Sequence, residues 1–353
     1  MSMQIVILRR SVGQRDAIDR EIERMHAILR PKYNCRVFAE ERHNPNVSYI
    51  ARGEFEKLAA VPDLLLVCYP EADWEYGIEA MRRAKGKVVV RCCAGSEAAK
   101  RGDGQSFAEA IRKACPGAYW LCDSRTVAEQ LPLGPAGRTG MCAMLGQLSR
   151  WDGTLPDEDS LGDLIETDQV NILAVGGPGP DGRLHELLDV ACTYCDSYSA
   201  NIAFDIVESI EAETQEYREA VQTRIRSYGI EDQVAFVEPD DAAAMMACLL
   251  GCDALLYLAP DGESVDALIA AQRAGLPVIA LKTDYNVELL GSDQLCLQDD
   301  ICLLTAAIRQ IAGSEAYRRC LRKVGWANYE RRFSDAQLQK RFLEAIEEAA
   351  AAI

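Results

Sequence analysis

Short apolar runs alternate with amphipathic stretches along the first half of the chain. Five of these runs are rich in Val, Ile, Leu and Cys and have the length of buried strands. They are Gln4–Leu8, Cys35–Ala39, Leu64–Cys68, Lys87–Arg91 and Ala118–Asp123. Between them, stretches such as Asp16–Leu29 and Trp74–Ala84 repeat their apolar positions with the period of a helix. Alternating strands and helices predict a doubly wound, parallel α/β sheet.

The same alternation begins again after a segment that has no clear period. Residues 150–160 are rich in Pro, Gly and acidic residues, which is typical of a linker. A second series of strand-like runs follows: Asn171–Val175, Ala203–Glu208, Val234–Val237, Ala254–Leu258, Val278–Leu281 and Gln294–Leu297. Near the end of the chain, Ser334 followed by Gln337 forms a capping box, which predicts a last helix. The chain therefore predicts two Rossmann-like domains followed by a terminal helix.

Composition supports this organisation and excludes some functions. A chain of 353 residues is longer than one hydrophobic core usually spans, which favours two domains. The formal charge of −17 argues against general nucleic-acid binding, because phosphates would be repelled. The sequence contains no run of about 18 apolar residues, and its first residues are interpreted as a strand. We expect a cytoplasmic protein.

One segment departs from the acidic balance. Basic residues outnumber acidic ones across residues 318–341: Arg318, Arg319, Arg322, Lys323, Arg331, Arg332, Lys340 and Arg341. Such a run favours an ordinary solvated helix face. The alternative is a contact surface for anionic lipid or for an acidic partner, which would allow at most peripheral membrane contact.

The cysteine and histidine positions do not predict a metal site. The chain has 14 cysteines, and most lie among apolar residues, for example Cys68, Cys122, Cys248, Cys252, Cys296 and Cys302. Cysteine at such positions behaves as a small apolar residue, which favours a reducing compartment. Cys192 and Cys195 lie in a helical pattern with no second pair at zinc-like spacing, so core packing is favoured over a metal site. The 3 histidines are dispersed.

Several segments carry a resemblance to a known family. They are Asp16–Ile18, Asn171–Gly176, Gly229–Val237, Arg273–Ala280 and Asn286–Glu288. Together they resemble glycosyltransferase family 4, in particular its bacterial surface-polysaccharide branch, over nearly the whole chain. The resemblance implies a GT-B fold, in which two Rossmann-like domains face a cleft and the last helix crosses back to the first domain. We place the acceptor-side domain at 1–165, the nucleotide-sugar-side domain at 166–330 and the returning helix at 331–353.

The resemblance also implies a donor site whose charged groups are missing from this chain. Members of the family hold a nucleotide-diphospho-sugar through an Arg and a Lys that follow the turn at Gly176. Those two positions correspond here to Gly177 and Gly182. The family's two donor-side Glu residues correspond to Gly262 and Ala270, and the His that faces the reacting sugar corresponds to Cys93. A diphosphate needs directional cationic donors, so these differences bear directly on function.

Two functional interpretations remain open. We favour a glycosyltransferase-like protein of surface-polysaccharide or glycan assembly that is inactive or repurposed, acting in a homo-oligomer or beside another glycan-assembly protein. The alternative is an active retaining transferase with a displaced site formed by Arg183, Glu263, Asp266 and Glu288. No cofactor or metal is expected, and the only ligand class implied is a nucleotide-diphospho-sugar. A nucleotide-sugar epimerase is a third possibility, but the ionisable groups that it requires are not found.

Three positions near these residues have a second interpretation. Glu288 can approach a ligand or simply lie at a helix start, where the helix dipole favours a carboxylate. Cys92 and Cys93 follow Arg91, and buried structural thiols are favoured over nucleophiles at this place. Ser124 is interpreted as a loop-capping residue.

Overall fold

The computed structural model describes most of the chain. The described residues are 3–12, 17–58, 63–71, 74–84, 88–93, 103–131, 138–142, 169–176, 183–199, 201–207, 215–237, 247–259, 265–291, 295–297 and 299–352. The chain divides into two compact units, one formed by Met1–Ser149 with Ser334–Ile353 and the other by Arg150–Phe333. The two domains proposed from the sequence are described below unit by unit.

The first unit contains a parallel sheet with helical connections. Its described strands are β1 (Gln4–Val12), β2 (Asn34–Arg42), β3 (Leu64–Cys68), β4 (Val88–Cys92), β5 (Tyr119–Cys122) and β6 (Arg138–Met141). Its described helices are α1 (Ala17–Leu29), α2 (Arg52–Leu58), α3 (Glu75–Arg83), α4 (Asp103–Ala114) and α5 (Arg125–Gln130), together with the terminal helix Asp335–Ala352. The strand order is β2-β1-β3-β4-β5-β6, and all neighbouring pairs are parallel.

Burial in this sheet follows the position of each strand. Every residue of β3 and of β4 is buried, because both strands are covered on both faces and have a neighbour on each side. Strand β6 lies at the edge of the sheet and is largely exposed. The apolar pattern therefore predicted β1 to β5 and missed β6.

The second unit contains a second parallel sheet. Its described strands are β7 (Val170–Val175), β8 (Ile202–Val207), β9 (Val234–Val237), β10 (Ala254–Tyr257), β11 (Val278–Leu281) and β12 (Leu295–Leu297). Its helices of seven or more described residues are α6 (Leu184–Ser197), α7 (Gln215–Tyr228), α8 (Val265–Arg273), α9 (Asp284–Leu290), α10 (Ile301–Gly313) and α11 (Glu315–Arg332). The strand order β12-β11-β10-β7-β8-β9 is that of a dinucleotide-binding Rossmann sheet. All the strands predicted for this half are confirmed.

The terminal helix α12 (Asp335–Ala352) packs on the first unit, as the resemblance predicted. Its apolar face buries Leu338, Phe342 and Ile346, which recur at helical spacing. Polar contacts to the α1 region flank that face: Arg24 bonds to Asp335 at 2.7 Å, and Glu347 accepts hydrogen bonds from Lys32 and from Tyr33. In the described part of the chain, no helix is long and apolar enough to cross a membrane.

Candidate functional site

The carboxyl ends of β7 and β10 form the candidate ligand site of the second sheet. The two strands are neighbours, with Val175 paired to Tyr257, although they are far apart in sequence. The connections on either side of this pair lead in opposite directions along the sheet, which makes it the topological switch point where open α/β sheets bind ligands. Gly176 follows β7 directly and is buried. Gly177, Gly182, Gly262 and Glu263 lie outside the described residues.

Helix α8 places Ala270 in an apolar and closed environment. The helix is buried on almost every side, and Ala270 has 0% of its surface exposed. The backbone carbonyl of Ala270 accepts the Ala274 N–H at 2.8 Å, so the helical turn is intact at this point. Asp266 falls in the same helix, one turn before Ala270, and its side chain lies outside the described part of the structure. The position that the resemblance aligns with one of the family's two donor-side Glu residues therefore carries a methyl group with no access to solvent.

Arg183 stands at the start of α6 in a left-handed backbone conformation. Its φ is 58°, which is uncommon for a residue with a side chain, and its side chain makes no capping hydrogen bond. The guanidinium instead reaches Asp299, just before α10, with an Nη1–Oδ2 distance of 2.6 Å. Arg183 thus begins α6 with its charge balanced by the Asp299 carboxylate.

Glu288 does not lie at a helix start. Helix α9 begins after Thr283, whose hydroxyl accepts the Asn286 N–H at 3.0 Å, and Glu288 lies in the second half of the helix. The interpretation of Glu288 as a helix-start carboxylate is wrong, because the Thr283 cap begins the helix before it. Its backbone carbonyl accepts a hydrogen bond from Arg332.

A buried amide network fixes α9 against its neighbours. Asn328 of α11 donates to Gln272 of α8 at 2.5 Å and to the Leu289 carbonyl at 2.9 Å. Gln272 is completely buried and Asn328 is 4% exposed, so their hydrogen bonds replace those to water. The segment that carries Glu288 is therefore held in one position.

Two arginines of the basic segment, residues 318–341, donate hydrogen bonds to backbone carbonyls of the second unit. Arg318 donates to the carbonyls of Ile311 and Ala312 at the end of α10, at 2.7 and 2.9 Å. Arg332 donates to the carbonyls at the end of α9. Cationic side chains favour helix carboxyl ends, where they complement the helix dipole and the free carbonyls. Two of the eight basic residues, Arg318 and Arg332, thus close helices, and the prediction of membrane or partner contact through this segment stays a prediction.

The described thiols are mostly structural. Cys92 and Cys122 face each other on β4 and β5 with their sulfur atoms 3.5 Å apart, and both are fully buried. The hydrogen bond between them, together with burial, raises the pKa of Cys92 well above its ordinary value. Cys93, at the position of the family's His, is 7% exposed. The buried Cys92 thiol, whose pKa is raised, is a poor nucleophile at neutral pH.

The other cysteine and serine predictions have mixed outcomes. Cys192 and Cys195 lie within α6, as predicted, and no group of three metal-binding side chains is found among the described residues. Cys302 is exposed, so its assignment to an apolar position is wrong: it lies in the first turn of α10, outside the buried face of that helix. Ser124 accepts the Val127 N–H at 3.2 Å and caps α5, in agreement with the loop-capping interpretation.

The first unit contains a buried ion pair that the sequence analysis missed. Arg91 of β4 and Glu21 of α1 both have fully buried side chains, and Arg91 Nη2 lies 3.0 Å from Glu21 Oε1. Arg91 also donates to the Cys142 carbonyl at 2.6 Å. Burial disfavours the charged guanidinium, but Tyr69 and the Glu21 carboxylate outweigh it and raise the pKa of Arg91. The pair ties α1 to the ends of β4 and β6.

A second polar group lies at the switch point of the first sheet, where β1 and β3 are neighbours. Tyr69 follows β3 with a φ of 48°, and its backbone carbonyl accepts a hydrogen bond from Arg9. The Arg9 guanidinium also lies 3.3 Å from Glu71. Among the described residues, neither the Tyr69 hydroxyl nor Arg9 Nε has a hydrogen-bond partner. Backbone strain and unsatisfied polar atoms often mark functional edges of a sheet.

Comparison with solved structures identifies the fold. The chain is similar to Alr3699/HepE of Anabaena in complex with UDP-glucose, with 15% identity, a TM-score of 0.69, and coverage of 98% of this chain and 100% of that chain. It is similar to sucrose-phosphate synthase of Thermosynechococcus elongatus, with 16% identity, a TM-score of 0.68, and coverage of 99% and 100%. The lipopolysaccharide outer core galactosyltransferase WaaB gives 16% identity, a TM-score of 0.69, and coverage of 98% and 99%.

The fold is GT-B. No protein-family model matches the sequence, and no curated protein sequence matches it significantly. Identities of this size show the fold and do not transfer an activity. What the site can do must therefore be argued from its own residues.

Proposed function

We propose that this chain is a glycosyltransferase-like protein of surface-polysaccharide or glycan assembly that has lost its own sugar transfer and acts as a partner subunit. The observation that carries the proposal is the burial of Ala270. In a donor site that is intact but empty, this position would face open space. The Ala270 methyl group is instead fully enclosed. The finer assignment to glycosyltransferase family 4 rests on the segments that carry the resemblance.

Two further observations support the loss of donor binding. Arg183 follows the predicted turn directly in the chain, and its charge is balanced by Asp299. The buried Cys93 thiol cannot provide the imidazole that the family places before the reacting sugar. Each charged hydrogen bond contributes about 1.5–3 kcal/mol, so the loss of several lowers donor affinity by orders of magnitude.

The active-transferase alternative has one observation in its favour. Arg183 lies at the amino end of α6, and the backbone N–H groups and the helix dipole at such an end favour a diphosphate. That arrangement would support donor binding only if the guanidinium were released from Asp299. Measured affinity for nucleotides therefore separates the two functions.

We expect titration calorimetry with UDP-, GDP- and ADP-sugars to show no dissociation constant below about 1 mM, equivalent to about −4 kcal/mol. The physical reason is that Gly177 and Gly182 carry no charge and that Asp299 balances the charge of Arg183, so the cost of desolvating a diphosphate is not compensated. A micromolar constant for any of these donors would contradict the proposed loss of the site. It would favour the active transferase instead.

The partner role makes a separate prediction. We expect analytical ultracentrifugation to show either a homodimer or a complex with a co-expressed transferase encoded by a neighbouring gene. We expect association because a protein that has lost its own catalytic activity would act only through a partner. A strict monomer, both alone and with every co-expressed neighbour, would count against a partner role.

A further inference from the structure

The ion pair between Arg183 and Asp299 joins two distant parts of the second unit. The two residues are 116 positions apart, and each precedes a helix: Arg183 precedes α6 and Asp299 lies just before α10. The Nη1–Oδ2 distance of 2.6 Å is that of a charge-assisted hydrogen bond. The contact therefore orients the guanidinium toward the start of α10.

The carboxylate of Asp299 is not needed to start α10. Asp300 caps that helix, because its side chain accepts the N–H groups of Cys302 and Leu303 at 2.8 and 3.1 Å. Asp299 has 58% of its side chain exposed, compared with 31% for Arg183. Asp299 is thus a solvent-facing group whose described polar contact is with the guanidinium.

We propose that Asp299 is an intramolecular competitor that occupies Arg183 and excludes diphosphates from the start of α6. This inference deepens the proposed function and rests on it, because it assigns part of the lost donor affinity to one residue. A carboxylate presents to the guanidinium the same paired anionic oxygens that a phosphoryl group would present. It also repels a diphosphate directly, since like charges at short range oppose binding.

The competition is testable because an exposed ion pair and a diphosphate differ in how strongly they bind a guanidinium. Exposed ion pairs are weak, so a diphosphate of higher charge can displace Asp299, but only with reduced affinity. Removing the carboxylate frees Arg183 and ends the local repulsion. We expect Asp299→Asn to tighten UDP binding about tenfold, equivalent to about 1.4 kcal/mol, at low ionic strength. Because the groups are exposed, the gain should shrink as salt increases.

The experiment uses UDP titrations followed by NMR, a method that reads millimolar constants. Four proteins are compared: wild type, Asp299→Asn, Arg183→Ala and the double variant. Glu315→Gln is the matched control, because Glu315 is also an exposed carboxylate paired with arginines, in α11. We expect the gain in Asp299→Asn alone, no gain in the control, and loss of the gain when Arg183→Ala is added.

The outcomes separate this inference from the proposed function. UDP affinity that is unchanged in Asp299→Asn, or undetectable in all four proteins, would overturn the competitor role and leave the partner-subunit proposal standing. A gain that persists in the double variant would also overturn it, because Arg183 would then have no part. Micromolar binding by the wild type would instead contradict the proposed function, and the Asp299→Asn comparison would still be decisive.

Discussion

Glu21→Gln is expected to lower the free energy of unfolding by about 3–5 kcal/mol. The substitution keeps the shape of the side chain and removes its charge, so the Arg91 guanidinium would remain fully buried without a compensating carboxylate. Breaking one side of a buried pair is costly because the remaining charge cannot regain its hydration. Urea denaturation followed by circular dichroism would measure the difference.

An exposed pair in the same unit provides the control. Glu79 and Arg83 form an i, i+4 pair on α3 at 3.0 Å, with both side chains about half exposed. Glu79→Gln should change stability by no more than about 1 kcal/mol, because water solvates the partner that is left. If the two substitutions had equal effects, the Glu21–Arg91 pair would not be the strong link between α1 and β4 that its burial indicates.

A double substitution tests whether charge or packing is responsible. Glu21→Leu combined with Arg91→Met fills similar space without charges, and such replacements are often neutral or stabilising. Here the Cys142 carbonyl would lose its donor, so we expect a partial recovery relative to Glu21→Gln. A double variant less stable than Glu21→Gln would show that the Arg91 hydrogen bonds matter more than the ion pair.

The strands of the second sheet could be predicted because burial decides their composition. Strand β10 (Ala254–Tyr257) is buried at every residue, and a buried parallel strand reads as a continuous apolar run. Strand β6 (Arg138–Met141) was missed for the opposite reason. It lies at the edge of its sheet and exposes Arg138, Thr139 and Met141, so it carries no apolar signature. Its hydrogen bonds to β5 define it as a strand, and the sequence does not reveal those bonds.

The polar contacts of both units were beyond the sequence analysis because their partners are distant in the chain. Glu21 and Arg91 are 70 positions apart, and Arg183 and Asp299 are 116 apart. One signal was available for the first pair. Glu21 lies next to Ile22 and one turn before Met25, both fully buried, so a carboxylate on that face required a buried partner. No comparable signal marked Asp299, which is exposed.

The resemblance pointed to five positions that lack the family's charged or imidazole groups. For two of them, Cys93 and Ala270, the structure adds the surroundings of the side chain. At Cys93 and Ala270 the sequence shows only that imidazole and carboxylate are absent. Both side chains are buried, so an imidazole or a carboxylate placed there would enter a packed environment. Restoring the family's residues is therefore a question of packing as well as electrostatics.

Ala270→Glu is expected to destabilise the second unit by about 3 kcal/mol or more. Ala270 has no exposed surface, and its neighbours Ile269 and Ala271 are also buried, so a glutamate would need both space and a partner for its charge. Protein interiors are close-packed and do not yield room for a further methylene and a carboxylate group without strain. Thermal and urea unfolding of the isolated variant would show the loss.

The matched control is Ala306→Glu in helix α10, where the alanine is exposed. The same chemical change there should alter stability by less than about 0.5 kcal/mol, because the new side chain remains in water. The comparison decides the fate of a full reconstruction with Gly177→Arg, Gly182→Lys and Gly262→Glu. If Ala270→Glu folds with wild-type stability, the glutamate reaches open space and the four changes together should restore nucleotide binding. If it unfolds the unit while the control does not, this part of the donor site has been closed by the core, and restoring charge alone cannot reopen it.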